Sequence, residues 1–292
     1  VLFVTHDLAV ATDYASRVVV MNSGRIREDR PVMDILTRPE DPYTVQLLAG
    51  ASPGRRADEE QTRPPSSSSP SSAVPALEVL DLAKVFSRTG AERRAVDGVS
   101  FAVRAGTTFA LVGESGSGKS TTARLILRLL DPTGGTIRIA GQDVTATTGK
   151  TRRDLWRSLQ MVYQNPDTAL DPRLSIEEII GEPLRNFRIG SRNEQKARVA
   201  QLLEQVNLPA RLGRSRPMEL SGGQRQRVAI ARALAPGART LVLDEALSAL
   251  DVLTQAQVLE LLKSLQAELG LSYLFISHDL HVVEQVSDDV GV

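Results

Sequence analysis

Three stretches of the chain carry residue types at spacings suited to chemistry on phosphate esters. The first is Gly113-Glu114-Ser115-Gly116-Ser117-Gly118-Lys119-Ser120-Thr121, which follows the apolar run Thr108-Phe109-Ala110-Leu111-Val112 and precedes the amphipathic Ala123-Arg124-Leu125-Ile126-Leu127-Arg128-Leu129-Leu130. Its three glycines let successive backbone N–H groups turn toward one point. A helix that starts there adds unpaired N–H groups and the positive end of its dipole, so the loop predicts a nest for phosphate oxygens. Lys119 then reaches the β- and γ-phosphates, and the Ser120 hydroxyl is placed to ligate Mg²⁺. The second stretch, Thr240-Leu241-Val242-Leu243-Asp244-Glu245, delivers two carboxylates at the C-terminal end of a buried strand, where ligands gather in open parallel sheets. Asp244 is placed to hold Mg²⁺, directly or through water, and Glu245 to polarise the water that attacks the γ-phosphate. The third, Leu220-Ser221-Gly222-Gly223-Gln224-Arg225-Gln226-Arg227, is another glycine-rich turn running into the helical Val228-Ala229-Ile230-Ala231-Arg232-Ala233-Leu234. Its N–H groups and the Ser221 hydroxyl predict a second anion site, and one nucleotide does not need two such sites from one subunit.

The elements that must position these residues follow from the pattern around them. Leu77 to Leu82 and Val99 to Val103 read as strands, with a turn at Arg104-Ala105-Gly106 before the strand of the phosphate loop. A hairpin follows the loop's helix at Gly135 to Gly141, so a small antiparallel sheet is expected to attach to a parallel core. Leu155 to Leu159 leads into a strand that ends Met161-Val162-Tyr163-Gln164, with Trp156 expected in the core rather than at a ligand. Residues 172 to 220 read as mostly helical. There Ser191 and Glu194 form a capping box, and Val199, Leu202, Leu203 and Val206 make one apolar stripe. The expected class is α/β.

Composition narrows the chemistry further. The chain has 292 residues, 41% of them hydrophobic, and its 35 Lys and Arg balance 35 Asp and Glu. That balance provides no global attraction to nucleic acid or anionic lipid, so partners must be sought in local sites. With no cysteine, disulfides, thiolate metal sites and thiol nucleophiles are excluded. The longest apolar runs fall short of the roughly 18 residues that a membrane helix needs.

The two ends of the chain are alike. Val1-Leu2-Phe3-Val4-Thr5-His6-Asp7-Leu8-Ala9-Val10 aligns without gaps on Tyr273-Leu274-Phe275-Ile276-Ser277-His278-Asp279-Leu280-His281-Val282, an offset of 272 residues. The chain therefore reads as the tail of one copy (residues 1–50), a Pro/Ser-rich linker (51–75) that cannot bury enough surface to order itself, and most of a second copy (76–292). In the first part, Arg17 to Met21 and Arg25 to Glu28 flank Asn22-Ser23-Gly24 as a hairpin, followed by short helices over Val32 to Thr37 and Tyr43 to Leu48. That hairpin is expected to offer the second core a substitute sheet edge.

The combination of these motifs resembles the nucleotide-binding domain of ABC transporters, whose signature Leu-Ser-Gly-Gly-Gln stands at residues 220–224. The resemblance covers about residues 77–292 and again 1–50. It implies a P-loop NTPase core with an antiparallel β subdomain and a helical subdomain, hydrolysing ATP with Mg²⁺. It also implies that Gly113, Ser115, Gly116, Gly118, Lys119, Ser120 and Thr121 hold phosphate and that Phe86 stacks on adenine. Gln164 would contact Mg²⁺ and the attacking water. Asp251, in Ser248-Ala249-Leu250-Asp251, would lie on the loop that crosses to the opposite subunit, and His278 would be the switch histidine beside the γ-phosphate, with His6 its counterpart in the preceding copy. Ser221, Gly223 and Gln224 would cover nucleotide held by another domain, because in this family two domains close head to tail.

Asn165-Pro166, Asp171-Pro172-Arg173-Leu174-Ser175 and Asp41-Pro42-Tyr43-Thr44 are similar to the ATPase subunits of oligopeptide and dipeptide importers. That likeness implies transmembrane permease subunits, an extracytoplasmic solute-binding protein acting indirectly, no nucleic acid, and a peripheral place on the cytoplasmic face of a bacterial inner membrane. The alternatives are a soluble twin-domain ATPase acting on ribosomes or DNA, and a domain that binds nucleotide without turnover. Two departures from the family stand out. Ala246 occupies a common Pro position and should leave the carboxylates in place, whereas Asp289-Val290-Gly291, in place of a more usual Arg-Val-Ala, is expected to loosen the end of the chain.

Overall fold

The computed structural model describes residues 15–22, 24–51, 74–88, 91–114 and 116–292. The chain divides into two compact units, Val1–Pro65 with Leu250–Gln257, and Ser66–Ala249 with Val258–Val292.

In the first unit, β1 (Arg17–Asn22) and β2 (Arg25–Pro31) pair antiparallel, and a bidentate Arg17–Asp29 ion pair (2.7 and 3.0 Å) joins them across the ladder. Two helices follow, α1 (Val32–Thr37) and α2 (Pro42–Ala51). Glu28 is buried, and its carboxylate accepts the backbone N–H groups of Glu40 (3.2 Å) and Asp41 (3.3 Å), which ties β2 to the start of α2. The hairpin forms a two-stranded sheet of its own.

The second unit is built on a five-stranded parallel sheet. Its members are β5 (Thr108–Leu111), β8 (Leu159–Val162), β9 (Thr240–Asp244), β10 (Ser272–Ile276) and β11 (Asp289–Gly291), in the order β11-β5-β10-β9-β8. Every residue of β9 and β10 is buried, which explains their unbroken apolar runs: a central parallel strand is covered on both faces. The register decides where the loops emerge. Ile276 lies opposite both Leu111 and Asp244, and Val162 lies opposite Leu243, so four strands end at one level.

A second sheet is antiparallel, in the order β4-β3-β6-β7, from β3 (Leu77–Arg88), β4 (Ala91–Val103), β6 (Gly134–Ile139) and β7 (Gln142–Asp143). Its inner residues Leu77, Val79, Leu82, Val103 and Ile137 share one core with Phe109, Val242, Leu274 and Ile276 of the parallel sheet. Leu125 and Ile126 of α3 (Lys119–Ile126) join them. Trp156, on α4 (Gly149–Ser158), packs against this core and donates its indole N–H to the Leu127 carbonyl at 2.7 Å, as expected of a structural tryptophan.

The helical part comprises α5 (Pro166–Ala169), α6 (Ile176–Phe187), α7 (Arg192–Gln205) and α8 (Gly222–Leu234). Ser191 caps α7 through the expected box with Glu194, and the same device at Ser175 and Glu178 starts α6. Val199, Leu202, Leu203 and Val206 are all buried. The long α9 (Val252–Leu269) and the short α10 (Leu280–Val286) precede β10 and β11 respectively. Among the described residues, no helix is long and apolar enough to cross a membrane.

The end of the chain is anchored rather than loosened. The Asp288 carboxylate accepts the Thr108 N–H at 2.8 Å, Arg104 donates to Asp289 at 2.9 Å, and the Gly291 carbonyl accepts the Val112 N–H at 2.9 Å. Aspartate at 289 gains an arginine partner, and glycine at 291 leaves room for the Phe109 ring, to which an added Cβ would come within 2.8 Å.

Candidate functional site

The site is assembled where β5, β8, β9 and β10 end together. From β5 the chain enters the glycine-rich loop, in which Gly113, Gly116 and Gly118 all have positive φ. The requirement is strictest at Gly118, the residue before α3. Its φ is +104°, and a Cβ there would lie 2.4 Å from the Ala95 carbonyl oxygen, so a side chain is barred by conformation and by space together. The loop curls over the Lys119 ammonium, which is largely buried and donates to the carbonyls of Gly113 (2.6 Å) and Glu114 (2.7 Å) and to the Ser117 hydroxyl (3.3 Å). Thr121 stands in the first turn of α3; Ser115 lies outside the described residues, as does His6.

From β9 come both carboxylates. Asp244 is buried and accepts a hydrogen bond from the Ser120 hydroxyl at 3.1 Å, which joins the end of β9 to the first turn of α3. Burial raises its pKa above the usual carboxylate range, the Ser120 hydrogen bond pulls the other way, and the neighbouring Glu245 charge adds to the rise. A carboxylate so placed has an unmet demand for positive charge. The set of one hydroxyl and one buried carboxylate, with room for water and phosphate oxygens, fits a magnesium ion. Among the described residues there is no group of three or more His, Cys, Asp and Glu that would cage a metal without such outside ligands.

Glu245 follows at φ +47°, a left-handed conformation that costs a non-glycine residue about 1–2 kcal/mol. Its N–H is fixed to the Ile276 carbonyl at 2.9 Å, which turns the side chain away from the line of the strand. One carboxylate oxygen then accepts the Gln164 side-chain amide at 2.7 Å, and the other lies 3.3 Å from Nδ1 of His278. Gln164 arrives from the end of β8 and His278 from the end of β10. Asp279 caps α10 by accepting the N–H groups of His281 and Val282, which fixes the turn that presents His278. Thus two residues from neighbouring strand ends, Gln164 and His278, meet at the carboxylate of a third, Glu245.

The remaining candidates stand elsewhere. Phe86, on β3, is exposed, with the Lys84 ammonium 5.2 Å from its ring centre, and it offers a free aromatic face. Ser221 caps α8, its hydroxyl accepting the Gln224 N–H at 3.3 Å while the Gln224 side chain accepts the Ser221 N–H at 2.9 Å. Gly223 is buried beneath that turn. Among the described residues, no hydrogen bond or ion pair links this turn to the Lys119 loop. Asp251 belongs to the first unit, where it accepts the Thr254 N–H (3.0 Å) and hydroxyl (2.7 Å) at the start of α9. His281 is exposed. Sequence reading missed Arg225 and Arg232, which run from α8 to the segment after Gln164; their spacing of seven residues, two helical turns, was the available signal.

Comparison with known proteins agrees with this geometry. The ABC transporter family profile matches residues 96–248, more than half of the chain. Among curated proteins, the glutathione import ATP-binding protein GsiA of Pectobacterium atrosepticum is 41% identical over 316 aligned residues, and that of Escherichia coli O157:H7 42% over 315; each alignment covers 100% of this chain and 51% of the relative. The chain thus spans about half the length of the curated relatives it matches. Among solved structures, the dimeric post-hydrolysis state of the ATP-binding cassette MJ0796 bound to ADP and Pi superposes with a TM-score of 0.65 at 30% identity, covering 72% of this chain and 91% of that one. CbiO1 from Clostridium perfringens, part of the cbiONQ ABC transporter complex, gives 0.67 at 27% identity, covering 74% and 83%. With a glycine loop closed on Lys119, a paired Ser120 and Asp244, and a Leu-Ser-Gly-Gly-Gln turn heading its own helix, the chain belongs to the ABC transporter family.

Proposed function

We propose that this chain is part of the ATP-hydrolysing subunit of a membrane importer, and that it spans the tail of one ATPase domain (1–50), a linker (51–75) and a second ATPase domain (76–292). The observation that carries the reading is the convergence of Gln164 and His278 on Glu245, one residue beyond the buried Asp244. The loop N–H groups and Lys119 bind and neutralise the phosphates of ATP. Ser120 and Asp244 hold magnesium, which when bound supplies a Lewis acid for the phosphate oxygens. Glu245 orients water and accepts its proton, while Gln164 and His278 keep that carboxylate aimed.

Among the described residues no hydrogen bond or ion pair links Ser221, Gly223 or Gln224 to the Lys119 loop of the same chain, and the Ser221 hydroxyl, an acceptor in its own helix cap, keeps its proton to donate. This supports head-to-tail closure with a second ATPase domain across the nucleotide, with Phe86 on the adenine and Asp251 at the joint. The subunit would sit at the cytoplasmic face of a bacterial inner membrane, against permease subunits supplied with solute by an external binding protein. Small peptides are the favoured cargo, because the relatives aligned over the whole of this chain are named for glutathione, itself a tripeptide. In the full protein with its permease, Glu245→Gln should keep fluorescent-ATP binding and lower hydrolysis by about 10²- to 10⁴-fold. Near-normal turnover would remove Glu245 from the reaction.

A further inference from the structure

Two arginines of the signature helix reach the loop that carries Gln164. Arg225 and Arg232 are seven residues apart on α8, so they share one face, separated by about 10 Å along the axis. Arg225 forms an ion pair with Asp167, its Nε 2.5 Å from a carboxylate oxygen but not aligned for a hydrogen bond, and its Nη1 donates to the Leu220 carbonyl, the residue before Ser221. Arg232 donates to the Ala169 carbonyl at 2.5 Å. Asp167 and Ala169 belong to α5, the single turn that begins two residues after Gln164 and is capped by Asn165. One guanidinium therefore touches both α5 and the entrance to the signature turn, and the other grips the far end of α5.

The position of Arg232 is costly. Burial lowers its pKa, opposed by the negative charge of Glu182 of α6. An apolar side chain at that point on α8 would pack without desolvating a cation. What the cation supplies that an apolar residue would not is a directed bond to the Gln164 segment.

We propose that Arg225 and Arg232 are positioning residues that fasten the Gln164 loop to the signature helix, so that Gln164 and Ser221 move as one body. Four residues separate Gln164 from Ala169, enough slack for an unfastened loop to shift on its own. Fastened at Asp167 and Ala169, the loop transmits any displacement at Gln164 to Ser221, and any closure at Ser221 back to the contact between Gln164 and Glu245. The kinetic arm of the test rests on the proposed ATPase function; a structural arm does not.

The full protein in complex with its permease is assayed for ATP turnover and for fluorescent-nucleotide affinity. Arg232→Ala should lower kcat about tenfold or more, the scale of a lost hydrogen bond from a charged donor, with affinity unchanged. Arg232→Lys should recover part of the loss. Asp167→Asn, at an exposed site where misfolding is not at issue, should lower kcat severalfold. In the structural arm, spin labels on Thr168→Cys and on the exposed Met218→Cys, just ahead of the signature, should give one narrow distance distribution with and without nucleotide. That distribution should broaden in Arg232→Ala and in Asp167→Asn. Unchanged kcat and an unchanged distribution in both variants would overturn the proposal. A wild-type protein without ATPase activity would defeat the proposed function instead, and the label distances would then decide the fastening alone.

Discussion

Replacing Gly118 by alanine tests whether the phosphate loop is specified by conformation alone or also by the strand beside it. At φ +104° an L-residue pays about 1–2 kcal/mol for a left-handed backbone. The new methyl would also stand 2.4 Å from the Ala95 carbonyl oxygen, where ordinary contact needs roughly 3.5 Å, so β4 or the start of α3 must move by about 1 Å. Neither is free to do so: Val96 is paired with Lys84 across the β3–β4 ladder, and α3 buries Ala123, Leu125 and Ile126. Overpacking of this kind adds about 1–3 kcal/mol, for a total near 2–5. Gly237→Ala is the matched control, with φ +85° and nothing within 4 Å of the added atom, so it pays the conformational part only. Urea unfolding followed by the single tryptophan, Trp156, which packs on the same core, should therefore place Gly118→Ala about 1–3 kcal/mol below Gly237→Ala. Fluorescent-ATP titration should show lost affinity in the first and none in the second. Equal destabilisation of the two variants would refute the claim that the Ala95 carbonyl shapes the loop.

Two further outcomes follow from other contacts. Gly291→Ala, which puts a methyl 2.8 Å from a Phe109 ring already stacked on Phe101 at 4.8 Å, should cost about 1 kcal/mol or more in the same unfolding assay. Arg173 holds the Asp171 pKa down to about 2 by hydrogen bonding and charge. Since the folded value lies below the unfolded one, the pair favours the folded state above about pH 4, the ordinary carboxylate range, and that contribution is lost as pH falls toward 2. Arg173→Gln should raise the Asp171 carboxyl titration, followed by NMR, toward the usual range, with the backbone N–H of residue 173 keeping part of the depression; an unmoved titration would break the assignment.

Much of this was legible because local signals and tertiary demand coincide. Three glycines between an apolar run and a helical pattern are compatible with little besides a strand, an anion nest and a helix, and they form β5, the Lys119 loop and α3. Ser191 and Glu194 state a helix start within four residues, and the structure uses it. The illegible parts depend on partners distant in the chain. The strand β3 runs on past Leu82 to Arg88 although Lys84, Ser87 and Arg88 show no apolar alternation, because β4 supplies the ladder and bulges near Asp81, at φ +48°, absorb the mismatch. At β11, three residues too few to show any period are held by Arg104 and Thr108, more than 170 positions earlier. The substitutions that looked loosening there, Asp289 and Gly291, are matched by an arginine and by a phenylalanine ring that no local pattern announces.

The functional site shows the same division one level up. Residue types made Glu245, Gln164 and His278 separate candidates from three unconnected stretches, and nothing in any stretch says that they touch. Sheet register does. Because Val162 is level with Leu243, and Ile276 with Asp244, Gln164 stands two residues past the end of β8, Glu245 one past β9 and His278 two past β10, all on the same rim. A slip of one residue in either pairing would shift one partner by about 3.3 Å along the sheet and turn its side chain to the opposite face, breaking contacts now made at 2.7 and 3.3 Å. The buried apolar runs of β8, β9 and β10 therefore do more than stabilise the core: their packing sets the register, and the register brings the carboxylate to its amide and imidazole.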